Sequence, residues 1–204
     1  MENIIVCITG ASGVVYAQRL LQVLCKKEYN VHISISEAAF LVIKHELNIE
    51  LNRNQPDMRE FLGYATDNIT YYNNSDVGAT IASSRYPIKA MVIVPCSINT
   101  LCSVAHGISG NLIQRAASIT IKEGRKLVLV PRETPLSSIH LEAMLKLSSI
   151  GTCILPAMPG FYHNPKAITD QVDFIVAKIL DVLNIKHSLV PEWHGGELLN
   201  IEDL

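Results

Sequence analysis

Short runs of consecutive apolar residues recur along this chain, each followed by a glycine-bearing or polar turn and then by a longer amphipathic stretch. Such runs mark the segments at 4–9, 90–94 and 127–130, and the shorter mixed segments 31–35 and 151–155 join them; all are too short for helices, and most are rich in Val and Ile. That is the pattern of strands buried on both faces of a parallel sheet. The stretches between them predict helices over 14–27, 36–47, 101–106, 111–123, 136–149 and 168–183. One region breaks the rhythm. Residues 47–78 are polar and irregular, with a short piece at 58–62, and read as a connection over the surface. Residues 79–82 predict a further short strand. Strands alternating with helices predict an α/β protein with a doubly wound, mostly parallel sheet of the flavodoxin-like, Rossmann-like kind. No internal repeat or linker divides the chain, so one domain is expected over 1–204. Its polar tail, 184–204, carries the only Trp, Trp193, and is expected to pack on a neighbouring subunit.

In an open α/β sheet, ligands bind beyond the carboxyl ends of the strands, so the residues each strand delivers there matter most. Pro131 is expected to end the strand at 127–130, and the chain then presents Arg132, Glu133 and Thr134 before Pro135. An ordinary surface Arg–Glu pair is the plain reading. Proline on both sides stiffens the loop and favours a binding site. The first strand runs into Gly10, Ala11, Ser12 and Gly13. Two glycines there permit a tight turn, and the following helix offers free N–H groups to an anion, although an unremarkable strand-to-helix turn fits equally well. Ser36 at the second strand's end can cap a helix and donate to a phosphate, which favours FMN over NAD. Glu37 is available for the ribose contact a dinucleotide would need. Glu46, beside His45, reads as a solvated helix end. After Pro95 come Ser97, Ile98, Asn99 and Thr100, more polar side chains than one N-cap requires. Arg115 and Lys122 stand two turns apart on one helix face, where solvated charges are the usual outcome.

Composition narrows the classes. A chain of 204 residues, 49% hydrophobic and 18% charged, can bury a substantial core in a single domain. Its formal net charge of -2 gives no nucleic-acid footprint. Five cysteines without a CxxC spacing fit reduced thiols in an intracellular protein. With no signal-peptide pattern and no apolar run of membrane-spanning length, a soluble, cytoplasmic protein is expected.

Taken together, GASG (10–13), ISEAA (35–39), PCSINT (95–100), NLIQRAA (111–117), KE (122–123), PRETPLSSIHLEAML (131–145), PAMPGFYHNP (156–165) and Trp193 resemble the UbiX family of flavin prenyltransferases. The relatives once named aromatic-acid decarboxylase small subunits are included. The resemblance implies transfer of a dimethylallyl group from dimethylallyl monophosphate to N5 and C6 of reduced FMN, without a metal, for use by a UbiD-type decarboxylase. It also implies homo-oligomers built on trimers, up to dodecamers, with sites at subunit interfaces. FMN would be held by Gly10, Ala11, Ser12, Ser36, Ser97, Ile98, Asn99, Thr100 and Arg132. Arg115, Lys122, Tyr162 and Lys178 would meet the prenyl phosphate, with Glu46, Lys122, Glu133 and Trp193 in the active site. Two positions depart from the family pattern. Its S-G-S reads Ser83-Ser84-Arg85 here, which suggests that Arg85 contacts the donor's phosphate end, and Lys178 replaces an Arg, giving charge without the bidentate fork. Two other readings are an FMN-dependent oxidative cysteine decarboxylase, whose PASANT-type segment is PCSINT here, and a non-catalytic flavin carrier.

Overall fold

The structure, a computed structural model, describes residues 1–27 and 29–191. In chain order it contains β1 (Asn3–Ile8), α1 (Val14–Lys26), β2 (Asn30–Ile35), α2 (Glu37–Leu47), α3 (Met58–Leu62) and β3 (Ile69–Asn73). A single 3-10 turn (Thr80–Ala82) precedes β4 (Ala90–Cys96), α4 (Ile98–Ala105), α5 (Leu112–Lys122), β5 (Lys126–Pro131), α6 (Ser138–Ser148), β6 (Cys153–Ile154) and α7 (Ile168–Val182). The strands form one sheet in the order β3-β2-β1-β4-β5-β6, and every pairing is parallel. Strand order reverses between β1 and β4, which sets the crevice for a ligand at their carboxyl ends.

The period of two along each strand sorts side chains between two layers. Ile4, Val6 and Ile8 of β1 join Val92, Val94, Val128 and Val130 under α1, α2, α3 and α7. Ile5, Cys7, Met91, Ile93, Leu127 and Leu129 face α4, α5 and α6. The apolar runs are continuous because both faces are covered. Burial pushes the Cys7 thiol up to about 12 and raises Cys96 as well, although its neighbour thiols add to the effect on Cys96. Both are protonated core residues rather than nucleophiles.

Four expectations need correction. Residues 47–78 are not only a surface connection: they include the edge strand β3, paired with β2 from Val31↔Ile69 to Ile35↔Asn73. Its sequence, ITYYN, has no uninterrupted apolar run because an edge strand keeps part of its surface in water. The strand expected at 79–82 is a 3-10 turn instead. The strand expected at 90–94 extends through Pro95 to Cys96. The ladder with β5 is interrupted between Ile93 and Cys96 and resumes at Cys96↔Pro131, so a residue without an N–H is accommodated at an irregularity. The helix after it begins at Ile98 rather than at residue 101, since Ser97 accepts a hydrogen bond from Thr100 N and caps it. Among the described residues, no helix is long and apolar enough to cross a membrane.

Candidate functional site

The carboxyl ends of β1 and β4 are tied together by one threonine. Thr9 donates from both N (3.2 Å) and Oγ1 (2.9 Å) to Pro95 O, and its Oγ1 accepts from Ser97 N at 2.7 Å. Ser36 N donates to Ile8 O at 2.9 Å, which draws the β2 loop to the same rim. Ala157 N donates to Pro131 O at 3.0 Å and does the same for the β5 and β6 loops. The residues at 10–13, 36, 97–100 and 132–134 therefore leave four neighbouring strands, ordered β2-β1-β4-β5, along one edge. Gly10 is required by a close approach: a Cβ there would lie 2.4 Å from the Cβ of Ala38 in the first turn of α2. Gly13, at φ 103, adopts a backbone conformation that favours glycine.

The amides at the start of α1 are already engaged, which corrects the expectation of free N–H groups there. Glu46 accepts from Gly13 N at 3.1 and 3.0 Å and from Val14 N at 3.1 Å. It is not merely a solvated end of α2, for its carboxylate is the anion at the positive end of α1. Burial raises the Tyr16 phenol, and the Glu46 charge raises it further. Replacing Glu46 with Ala removes this cap. A loss of about 1 kcal/mol of stability is expected, the usual cost of an N-cap acceptor. Phosphate ions, now able to reach the same amides, should restore part of it by mass action. Thermal unfolding with and without inorganic phosphate checks this. A variant whose melting point is insensitive to phosphate would count against the arrangement.

On the β4 and β5 side, Ser97 Oγ donates to Thr100 Oγ1 at 3.1 Å while accepting from Thr100 N at 3.3 Å. Ser36 caps α2 by accepting from Ala39 N. Arg132 Nε is buried and has no hydrogen-bond partner among the described residues. An unmet N–H in such a place is costly, and an acceptor on a bound group would relieve the cost. Glycine-enforced close approach, hydroxyls at the ends of β2 and β4, and an unmet guanidinium donor together fit a phosphate-bearing flavin such as FMN. Glu37, the acidic group a dinucleotide would recruit, is instead paired with Arg53 at 3.0 Å. Glu133 accepts from Thr134 N at 3.0 Å within its own loop.

The groups expected at a prenyl phosphate fall into two cavities of the chain. Arg115 and Lys122 line one of about 260 Å³, with Ser84, Ser109 and Ser118 beside them. Two cations and three hydroxyl-bearing residues make this an anion pocket. Lys122 Nζ lies 3.2 Å from Glu123 Oε1. Tyr162 and Lys178 line a different cavity of about 520 Å³, together with Phe174, Asp181, Lys186 and His187. There Asp181 takes Lys178 Nζ at 3.6 Å and His187 Nε2 at 2.9 Å, and His163 stacks on Phe174 at 5.1 Å. Arg85 is exposed and is absent from the lining of the smaller cavity, which its neighbour Ser84 reaches instead. Trp193 lies outside the described residues.

Sequence reasoning missed Ser84, Ser109, Ser118, Asp181, Lys186 and His187. Ser118 was within reach: it falls three residues after Arg115 and four before Lys122, on the same helix face. Ser84 and Ser109 come from loops, which carry no periodic signal.

The flavoprotein family model matches residues 1–190. A flavin prenyltransferase UbiX of Alkalihalophilus pseudofirmus is 50% identical over 186 residues, 91% of this chain and 93% of the relative. The crystal structure of AnUbiX in complex with FMN and dimethylallyl pyrophosphate superposes with a TM-score of 0.86 at 34% identity, covering 96% of this chain and 99% of that one. A dodecameric FMN-dependent UbiX-like decarboxylase from Escherichia coli gives 0.85 at 38% identity, over 95% and 100%. The peptidyl-cysteine decarboxylase EpiD, at 16% identity and a TM-score of 0.59, shares the fold alone. With half its aligned positions matching across nearly the full length of a flavin prenyltransferase, on the same parallel sheet, the chain belongs to the UbiX family of flavoproteins.

Proposed function

We propose that this protein is a flavin prenyltransferase, joining the dimethylallyl group of dimethylallyl monophosphate to N5 and C6 of reduced FMN. The observation that carries the reading is the Arg115–Lys122 anion pocket in a chain half-identical to a flavin prenyltransferase. Breaking the ester C–O bond leaves an allylic cation and a departing phosphate. Preorganised cations stabilise that departing charge, and Arg115 and Lys122 supply two of them from one helix face. Arg132, with the rim residues Gly10, Ala11, Ser12, Ser36, Ser97, Ile98, Asn99 and Thr100, holds FMN. When bound and reduced, FMN supplies the two nucleophilic positions. Fixing the donor beside them contributes much of the acceleration by avoiding the entropy loss of a bimolecular encounter. Glu133 takes the proton displaced at C6, and Glu46 stands at the same rim.

Tyr162 and Lys178 line the larger cavity, apart from Arg115 and Lys122, so one copy supplies each half of the donor site to a different neighbour. The dodecameric relative supports such an assembly. Aromatic faces favour the allylic cation, a role for Tyr162 and for Trp193. The prenylated flavin passes to a UbiD-type decarboxylase.

The test is anaerobic incubation of the full chain with reduced FMN and dimethylallyl monophosphate, followed by mass spectrometry of the extracted flavin. A flavin heavier by one dimethylallyl unit, with phosphate released in equal amount, is expected. Unaltered FMN retained on the protein would overturn the reading in favour of a carrier.

A further inference from the structure

We propose that Arg125 is a positioning residue of the donor-phosphate cavity, acting through the backbone of residues 83–86; the inference rests on the prenyltransferase reading of that cavity. Gly124, at φ 64, ends α5 and turns the chain toward β5, and Arg125 N closes the helix end on Thr120 O at 2.9 Å. From this junction the Arg125 guanidinium donates through Nη1 to Tyr86 O at 2.9 Å and through Nη2 to Ser84 O at 2.6 Å. Ser84 lines the cavity that Arg115 and Lys122 line from α5. One helix therefore presents the cations on its face and, from its end, holds the loop across from them. Arg125 thus ties the two walls of the cavity to each other through one side chain.

The far end of the same loop has an independent anchor. Tyr86 N donates to Ser83 O at 3.2 Å, closing a turn, and Tyr86 Oη lies 2.9 Å from His32 Nε2. His32 is buried on β2, and its Nδ1 lies 3.2 Å from Tyr72 Oη of β3. Between the anchored residues, Arg85 is exposed. The loop is thus gripped by its carbonyls and by one phenol, while the cation at its tip is left in solvent. Spanning two carbonyls two residues apart needs two donors in a planar fork, and a Lys ammonium cannot reproduce that geometry. Without Arg125, the carbonyls of Ser84 and Tyr86 lose their donors, and between the buried Ala82 and Pro87, whose carbonyl accepts from Asn3 Nδ2, the loop is held only through Tyr86. The pocket would then have to be ordered on binding, a cost that falls on donor affinity.

The experiment compares the full-length wild type with Arg125→Ala, Arg125→Gln and Arg125→Lys. It measures anaerobic prenylation against donor concentration, binding of inorganic phosphate by calorimetry, and FMN affinity by fluorescence. Arg125→Ala is expected to raise the donor KM and the phosphate Kd roughly ten-fold, with FMN affinity within about two-fold and kcat affected less than KM. Arg125→Lys should recover part of the loss, keeping one of two donations. A purely structural role would lower the melting temperature and leave KM and phosphate affinity alone, and that result would overturn the proposal. So would an equal loss of FMN binding. If Arg125→Ala does not fold, the Gln and Lys variants decide by the same two readouts. If the wild type forms no prenylated flavin, the prenyltransferase reading has failed, and phosphate calorimetry still decides whether Arg125 shapes the pocket.

Discussion

Replacing Lys122 with Met is expected to lower kcat/KM for the dimethylallyl donor by about a hundred- to a thousand-fold, the range seen when one preorganised stabiliser of a departing anion is removed. FMN affinity should be unchanged, because Lys122 lies on α5 in the smaller cavity with Arg115. Its bond to Glu123 does not compete seriously with this role. The lysine side chain is 65% exposed, and an ion pair between adjacent surface residues contributes little and is readily exchanged for a phosphate dianion. Lys122→Arg should retain part of the rate, since the charge survives while its shape changes. Steady-state assays with FMN held saturating, alongside FMN titration, separate the two effects. Activity within two-fold of the wild type would remove Lys122 from the site, and a parallel fall in FMN affinity would place it in the wrong pocket.

Most of the fold was legible because the sheet is buried on both faces. Continuous apolar runs at 4–8, 90–94 and 127–130 have no other economical reading, and β1, β4 and β5 lie within a residue or two of them. The strand that escaped, β3, is at the sheet edge, where partial exposure mixes Thr and Tyr with Ile and erases the signal. The 3-10 turn at Thr80–Ala82 was mistaken for a strand because three residues are too few for any period to declare itself. At the rim, the types of residue could be read but not their pairings. Glu46 lies 33 positions from Gly13, and only the packing of α2 beside α1 brings its carboxylate to those amides. The same limit hid Arg125. In the sequence it is one more basic residue beside Gly124, and its two carbonyl partners lie 39 and 41 residues earlier. Helix periodicity did place Arg115 with Lys122, because that relation is local. It gave no hint that Tyr162 and Lys178 would line another cavity, since that separation depends on α7 and α5 packing on opposite faces of the sheet.

The loop after β5 makes the second strong prediction. Pro131 and Pro135 bracket it, the carbonyl of Pro131 is held by Ala157 N at 3.0 Å, and Glu133 Oε1 accepts from Thr134 N at 3.0 Å. The carboxylate is therefore held locally through one oxygen, leaving the other to accept a proton. Gln in its place preserves the size and the carbonyl that accepts from Thr134 N, and removes only the capacity to take a proton. Glu133→Gln is expected to slow formation of prenylated flavin by about a hundred-fold, the lower range for loss of a positioned base, while FMN and phosphate bind as before. Proton loss at C6 should then limit the rate, so FMN deuterated at C6 should react measurably more slowly in the variant. The competing acceptor is the phosphate released in the first step. Were phosphate the base, the Gln variant would turn over at the wild-type rate with no isotope effect, and Glu133 would be left with no part in the chemistry.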